Sequence, residues 1–311
     1  MVYLTPSQKQ DITNDINQIL LRSQYSSFLL DQNEIMDAVP QGIIQCRNEH
    51  RNPLHRIFSQ LMGDRKSTVS SDVFYHFKTC PSVILDIINK KSIQVSNMVA
   101  NTENDYTEYS EFFRRIGFAD KNRLEKARSN TFILCFANTC SEQRMWDEYA
   151  TNETGVCLCF NVKHLSHIDS WSYSFRNVFY DHGYDLDVVG EIVDKIEQKY
   201  QLSFLPQGVH RFAQYYKRDR YRWENETRLS IQYEDILDYE AITNTESIVT
   251  KHFTRNTASN GREYLDIPFQ NPLFEFEMRE LIMGKNVSII NAQAYEQAVN
   301  NAASSVKITR R

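Results

Sequence analysis

The sequence predicts an α+β fold, and three observations predict it. Short apolar runs such as 131–137 (TFILCFA) and 154–161 (TGVCLCFN) read as buried strands. Longer stretches such as 188–201 (VVGEIVDKIEQKYQ) carry apolar residues at helical spacing. Strands and helices are interspersed without strict alternation, the pattern of an α+β chain.

Taken in order, the first 70 residues read as helical. Thr5 is placed to cap a helix with Pro6 at its first position, and 53–64 (PLHRIFSQLMGD) reads as a short amphipathic helix. The polar stretch 64–72 marks a boundary, giving a helical N-terminal extension, 1–70, and an α+β domain, 71–311. Beyond it, 72–77 reads as a strand, 80–91 as a helix and 92–97 as a second strand. A helix over 104–118 is expected to start at a capping box of Asp105 and Glu108. Strand 131–137, helix 141–150, strand 154–161, a further strand at 177–181 and helix 188–201 follow. No internal repeat or low-complexity segment occurs.

Composition bounds the function. The chain has 311 residues, enough for one large domain or two modest ones, with 41% hydrophobic and 24% charged residues. No apolar run reaches the length of a membrane span and the N-terminus has no apolar signal region, so a cytoplasmic protein with no membrane partner is expected. The six cysteines form no CxxC pair and read as free thiols. His164 and His167 beside Asp169 lack a third ligand at metal spacing and read as surface residues; no metal is expected. No Gly-rich phosphate loop is present, which excludes a P-loop NTPase and a standard dinucleotide-binding dehydrogenase. The net charge of −5 excludes a bulk nucleic-acid coat, yet 114–128 and 215–223 are locally basic.

The informative stretch is 220–233 (RYRWENETRLSIQY). Strand period two would send Trp223, Leu229 and Ile231 into a core and Glu224, Glu226, Arg228 and Ser230 outward together. Such a face is either a solvated surface or a site. The pattern extends back to Lys217 and reads K-x-x-x-Y-x-x-E-x-E-x-R.

With 74–77 (FYHF), 104–108 (NDYTE), 135–150 (CFANTCSEQRMWDEYA), 155–160 (GVCLCF) and 281–286 (LIMGKN), this pattern resembles a bacterial family known only as a domain of unknown function, over roughly residues 72 to 310. Ala137 stands where that family usually has Ser. The motif order is in turn similar to DarT-like toxins and poly(ADP-ribose) polymerases. That resemblance implies a split mixed sheet flanked by helices and an NAD-dependent ADP-ribosyltransferase. It implies Glu226 as the catalytic carboxylate, Glu224 orienting the acceptor and Arg228 pairing with a phosphate or locking Glu226. His76, Tyr75, Phe77, Trp146, Tyr149 and Lys217 would contact the NAD. For Trp146, Tyr149 and His76, core packing is the alternative. A role as a toxin in phage defence follows, with an antitoxin partner docking on residues 1–70 and a single-stranded nucleic acid or a protein as acceptor. A metal-dependent nuclease built on Asp105, Glu108, Glu224 and Glu226, or a non-enzymatic interaction module, are the competing readings.

Overall fold

A computed structural model describes residues 2–38, 42–62, 73–98, 103–117, 121–164, 173–206, 209–233, 252–302 and 305–311, without the side chains of 103–106, 121–124 and 164. The boundary expected at 64–72, the side chain of Asp105, and His164, His167 and Asp169 as candidate ligands lie outside the described residues.

Helix α1 (Pro6–Leu21) starts as its sequence dictates. Thr5 and Gln8 form a reciprocal capping box, and Pro6 fills the first turn, where its missing N–H costs nothing. The first 70 residues are not purely helical, however. An antiparallel pair, β1 (Ile35–Ala38) and β2 (Ile44–Cys46), precedes α2 (Pro53–Met62). Three- and four-residue strands are too short for period two to show in the sequence.

Strand β3 (Val73–Lys78), helix α3 (Pro81–Lys90) and strand β4 (Ser92–Asn97) follow. Helix α4 (Glu103–Arg115) begins before Asp105, so the expected capping box does not form. Glu108 instead lies in the second turn, buried. Next come α5 (Lys121–Asn130), β5 (Thr131–Ala137), α6 (Gln143–Tyr149), β6 (Val156–His164), β7 (Tyr173–Asn177) and β8 (Phe179–Asp181). Helices α7 (Asp185–Tyr200) and α8 (His210–Ala213) lead to β9 (Tyr216–Arg218) and β10 (Glu226–Gln232). Strands β11 (Arg255–Thr257), β12 (Glu263–Pro268) and β13 (Phe274–Met283), a helix at Ile289–Ala302 and β14 (Lys307–Arg310) complete the chain.

Ten of these strands form one mixed sheet in an α+β arrangement. Its order is β11-β12-β4-β5-β3-β6-β13-β14, with β10 and then β7 on the other edge of β5. Only β13 and β14 run parallel among these pairs. The sheet is split at β5. One edge of β5 pairs along its whole length with β10. The other edge is shared: β4 takes Phe132 and Ile133, and β3 takes Ala137 alone, through Tyr75. Strands β3 and β4 therefore part company between these points.

The two faces of the sheet are covered differently. Phe132, Leu134 and Phe136 of β5 pack with α3 and the helix 289–302. On the opposite face, Ile133 joins a core that includes Ile16 of α1, Phe58 of α2, Phe112 of α4 and Val193 of α7. The first 62 residues thus share a core with the rest of the chain. The apolar side of α1 is covered by α7, and Lys199 holds Asp15 at 2.7 Å across that contact. A partner docking on this region would meet a largely polar outside with scattered exposed apolar side chains such as Tyr3, Leu21 and Leu29. Further along the same face, Phe77, Ala137, Met145, Trp146, Cys157 and Cys159 form a smaller apolar cluster.

Candidate active site

Cys135, Glu226 and Arg228 lie on the sheet face that carries both apolar clusters, since Glu226 is paired with Ala137 and Arg228 with Cys135. They border a cavity of about 210 Å³ lined by Tyr75, His76, Phe77 and Lys78 of β3, residues 135–137 of β5, Met145 and Tyr149 of α6, and Lys217, Glu224, Glu226 and Arg228. Period two puts Tyr75 and Phe77 on one face of β3 and His76 and Lys78 on the other. The cavity reaches both because β3 leaves β5 after the Tyr75–Ala137 pair.

The charged side chains are buried rather than solvated: Glu224 is 3% exposed, Glu226 6%, Arg228 2% and Lys217 6%. This overturns the solvated-surface reading of the alternating charges. It also corrects the strand reading of Glu224. A 3-10 turn covers 219–224, Asn225 takes a left-handed conformation with φ of 43°, and the strand starts only at Glu226. Asn tolerates that conformation better than other residues with a Cβ. Trp223 likewise lies off the strand, half-buried beneath the Arg144 guanidinium, which sits 4.2 Å from its ring. Leu229 and Ile231 enter the core as their spacing predicts.

The ion pairs form one network. Arg228 donates to both oxygens of Glu226, at 2.9 and 3.2 Å. The Lys217 ammonium lies 2.9 Å from Glu226 Oε2 and also contacts Glu224 Oε2. The Tyr149 hydroxyl donates to Glu224 Oε1 at 2.6 Å. Burial pushes both carboxyls up, but at Glu226 the Arg228 and Lys217 charges outweigh it and hold the group well below the usual carboxylate range. At Glu224 burial prevails over the attraction of Lys217, with repulsion from Glu226 added, and its pKa is raised. The two carboxylates are thereby driven apart in acidity. Lys217 holds them together rather than standing free for a phosphate.

His76 occupies the split. Its Nδ1 lies 2.8 Å from the Cys135 carbonyl, a backbone acceptor that β3 no longer pairs. Burial, reinforced by the Lys78 charge, pushes the imidazole down to about 3, so it is neutral. Nδ1 must carry the proton to donate to a carbonyl. Nε2 is then a bare acceptor, buried and without a partner.

Of the residues singled out from the sequence, His76, Tyr75, Phe77, Tyr149, Lys217, Glu224, Glu226 and Arg228 all line the cavity. Trp146 does not. It is fully buried behind Phe77, with ring centroids 5.1 Å apart, and its indole donates to the Cys140 carbonyl, so its role is packing. The nuclease set does not converge either, since Glu108 lies outside the cavity with its carboxylate bound to the Arg218 backbone and guanidinium. Two residues were missed. Lys78 follows a recognisable motif but carries no pattern of its own. Tyr180, whose hydroxyl accepts from the Glu226 N–H at 2.8 Å, lies on a three-residue strand with no periodicity to read.

The two glycines in the motifs have a steric cause. A Cβ on Gly155 would overlap the Lys78 carbonyl, and one on Gly284 would overlap the Glu153 carbonyl. Gly284 N–H donates to Gly155 O at 3.0 Å, so close backbone packing fixes the strand ends beside the site.

Residues 145–229 match a family model described as a protein of unknown function (DUF2971). The resemblance to a domain of unknown function is shown over this stretch, which runs from α6 into β10 and carries Tyr149, Lys217, Glu224, Glu226 and Arg228. No curated protein and no solved structure matches the chain. Among the described residues no helix is long and apolar enough to cross a membrane.

Proposed function

We propose that this cavity is the active site of an ADP-ribosyltransferase that uses NAD as donor. The observation that carries the reading is a carboxylate kept ionised at Glu226 in a buried cavity that also holds a neutral imidazole with an unpartnered acceptor nitrogen. The donor supplies an N-glycosidic bond to nicotinamide, and its cleavage leaves an electron-poor ribose carbon. Glu226 stabilises positive charge at that carbon from a water-poor site, where a fixed charge acts most strongly. His76 Nε2 accepts from a sugar hydroxyl, which satisfies the buried nitrogen. Tyr75 and Phe77 supply ring surface for nicotinamide. Glu224, with its raised pKa, takes the proton of the incoming nucleophile.

A cavity of about 210 Å³ admits one end of a dinucleotide and leaves the rest outside. Tyr149 lines the cavity and is 42% exposed, so it stands at the mouth. Trp223 lies beside it at 6.2 Å, and Arg220 lies 4.7 Å from the Tyr221 ring. Aromatic rings interleaved with arginines favour a single-stranded nucleic acid as acceptor, with bases stacking on the rim.

The test is nicotinamide release from NAD, with and without RNA, single-stranded DNA or protein extract. Wild type is expected to release nicotinamide faster with nucleic acid. Glu226→Gln is expected to lose ~100-fold or more, the scale of removing one transition-state electrostatic contact. Folded wild type that releases none under any condition refutes the reading.

A further inference from the structure

Three cations and two carboxylates line the cavity, and they do not pair off evenly. Lys217 and Arg228 are tied to Glu224 and Glu226. Lys78 is half-buried and has no carboxylate partner among the described residues. A lysine held at a cavity wall without a counter-ion is an unusual arrangement, because partial desolvation goes uncompensated. Burial lowers its pKa, and the positive charge of Arg262, an exposed residue on the turn before β12 and outside the cavity lining, lowers it further. Arg262 also has no ion-pair partner among the described residues. Helix α3 starts at Pro81, just beyond Lys78. There the Ser82 hydroxyl and the Val83 N–H hold the exposed Cys80 thiol below its usual range. Cationic and dipolar charge thus accumulate at this end of the cavity.

Position along β3 supplies the second part. Tyr75, Ala137 and Glu226 stand in one row across three strands. Lys78 is three residues further along β3, about 10 Å at strand rise. With the two strand spacings between β3 and β10 added, the backbones of Lys78 and Glu226 lie roughly 14 Å apart, a span that their side chains and a ribose with its 5′ phosphate fill together. His76, with its unpartnered Nε2, lies between the two on the same strand.

We infer that Lys78 is the centre of a phosphate subsite, with Arg262 adding charge from outside the cavity, which holds the diphosphate of a nucleotide donor while its ribose lies between His76 and Glu226. This rests on the donor reading above. It adds that the cavity is polarised, with the glycosidic bond at the Glu226 end and the phosphates at the Lys78 end.

Calorimetric titration of the full chain tests it, with inorganic pyrophosphate, ADP-ribose, NAD and a short single-stranded oligonucleotide as separate probes. Wild type is expected to bind pyrophosphate and ADP-ribose, more weakly at high salt. Lys78→Gln is expected to weaken both about tenfold or more, Arg262→Gln less, and Lys78→Arg is expected to restore binding. An unchanged thermal melt for Lys78→Gln establishes that it folds, as expected for a side chain with no ion pair to lose among the described residues. If pyrophosphate binds through Lys78 but NAD does not, the subsite stands and the NAD donor reading fails. If NAD binds equally well to wild type and Lys78→Gln, the subsite is wrong and the donor reading stands. Loss confined to the oligonucleotide also overturns the subsite, since Lys78 then serves the acceptor. Wild type that binds neither pyrophosphate nor ADP-ribose overturns it outright.

Discussion

Lys217 bridges the two carboxylates of the cavity, its ammonium 2.9 Å from Glu226 Oε2 and in contact with Glu224 as well. The three residues come from successive elements: Lys217 from β9, Glu224 from the end of the 3-10 turn and Glu226 from the start of β10. Without the ammonium, two buried carboxylates would face each other with Arg228 alone to offset them. Lys217→Met is therefore expected to destabilise the fold by ~3–5 kcal/mol, the usual scale for orphaning a buried charge. Adding Glu224→Gln to it is expected to recover more than about 1 kcal/mol, because the two positions are directly coupled. Urea unfolding of the four proteins measures this, and simple additivity would show that Lys217 does not act as the bridge.

Asn225 creates the geometry that brings Glu224 beside Glu226. Its left-handed backbone, with φ of 43°, turns the chain between them, and its carbonyl accepts from Asn138 N–H at 2.9 Å. Asn225→Gly is expected to be tolerated. Asn225→Val is expected to cost ~1–2 kcal/mol in backbone strain and to reduce nicotinamide release by separating the carboxylates. Equal stability of the two variants in denaturant unfolding would contradict this account.

Much of the site was legible in the sequence, for reasons that differ by residue. The apolar run of β3 gave the strand, but only the motif resemblance singled out Tyr75, His76 and Phe77 on it, whereas Arg228 was found because β10 keeps period two. The Glu224–Glu226 juxtaposition was read correctly for the wrong reason: a left-handed residue, not strand pleat, aligns them. Trp146 misled because an aromatic at helical spacing looks the same whether it faces a cavity or backs one. Lys78 was invisible because its significance lies in its place at the cavity wall with no carboxylate partner among the described residues, which only the fold reveals. The split of the sheet rests on which residues of β5 pair with β3 and β4, 62 positions apart in sequence for the Tyr75–Ala137 pair. Local pattern carries no record of that pairing.

Gly155 tests whether β3 must sit where it does. A Cβ there would meet the Lys78 carbonyl and, at 3.1 Å, the Thr79 Cα, both backbone groups that cannot rotate away. Gly155→Ala is expected to lose ~1–3 kcal/mol from overpacking and to displace Lys78. A variant as stable as wild type in thermal unfolding, with unchanged pyrophosphate affinity, would mean the strand end yields freely.

The acid sensitivity of the fold follows from His76. In the unfolded chain its imidazole takes a proton near pH 6.5, whereas in the folded protein burial and the nearby Lys78 charge delay this to about 3. Between those values the unfolded chain binds more protons, so stability falls as pH falls. His76 alone is expected to withdraw about 2 kcal/mol between pH 7 and pH 5. His55, held down to about 4 by its own burial beside His50 and Arg176, acts in the same direction. The part due to His76 is isolated with His76→Leu. That variant loses the hydrogen bond to Cys135 and is less stable at pH 7, yet its stability is expected to decline less on acidification. Urea unfolding at pH 7, 6 and 5 gives both slopes. Parallel slopes would place the His76 proton uptake in the ordinary range and remove the neutral acceptor on which the ribose contact depends.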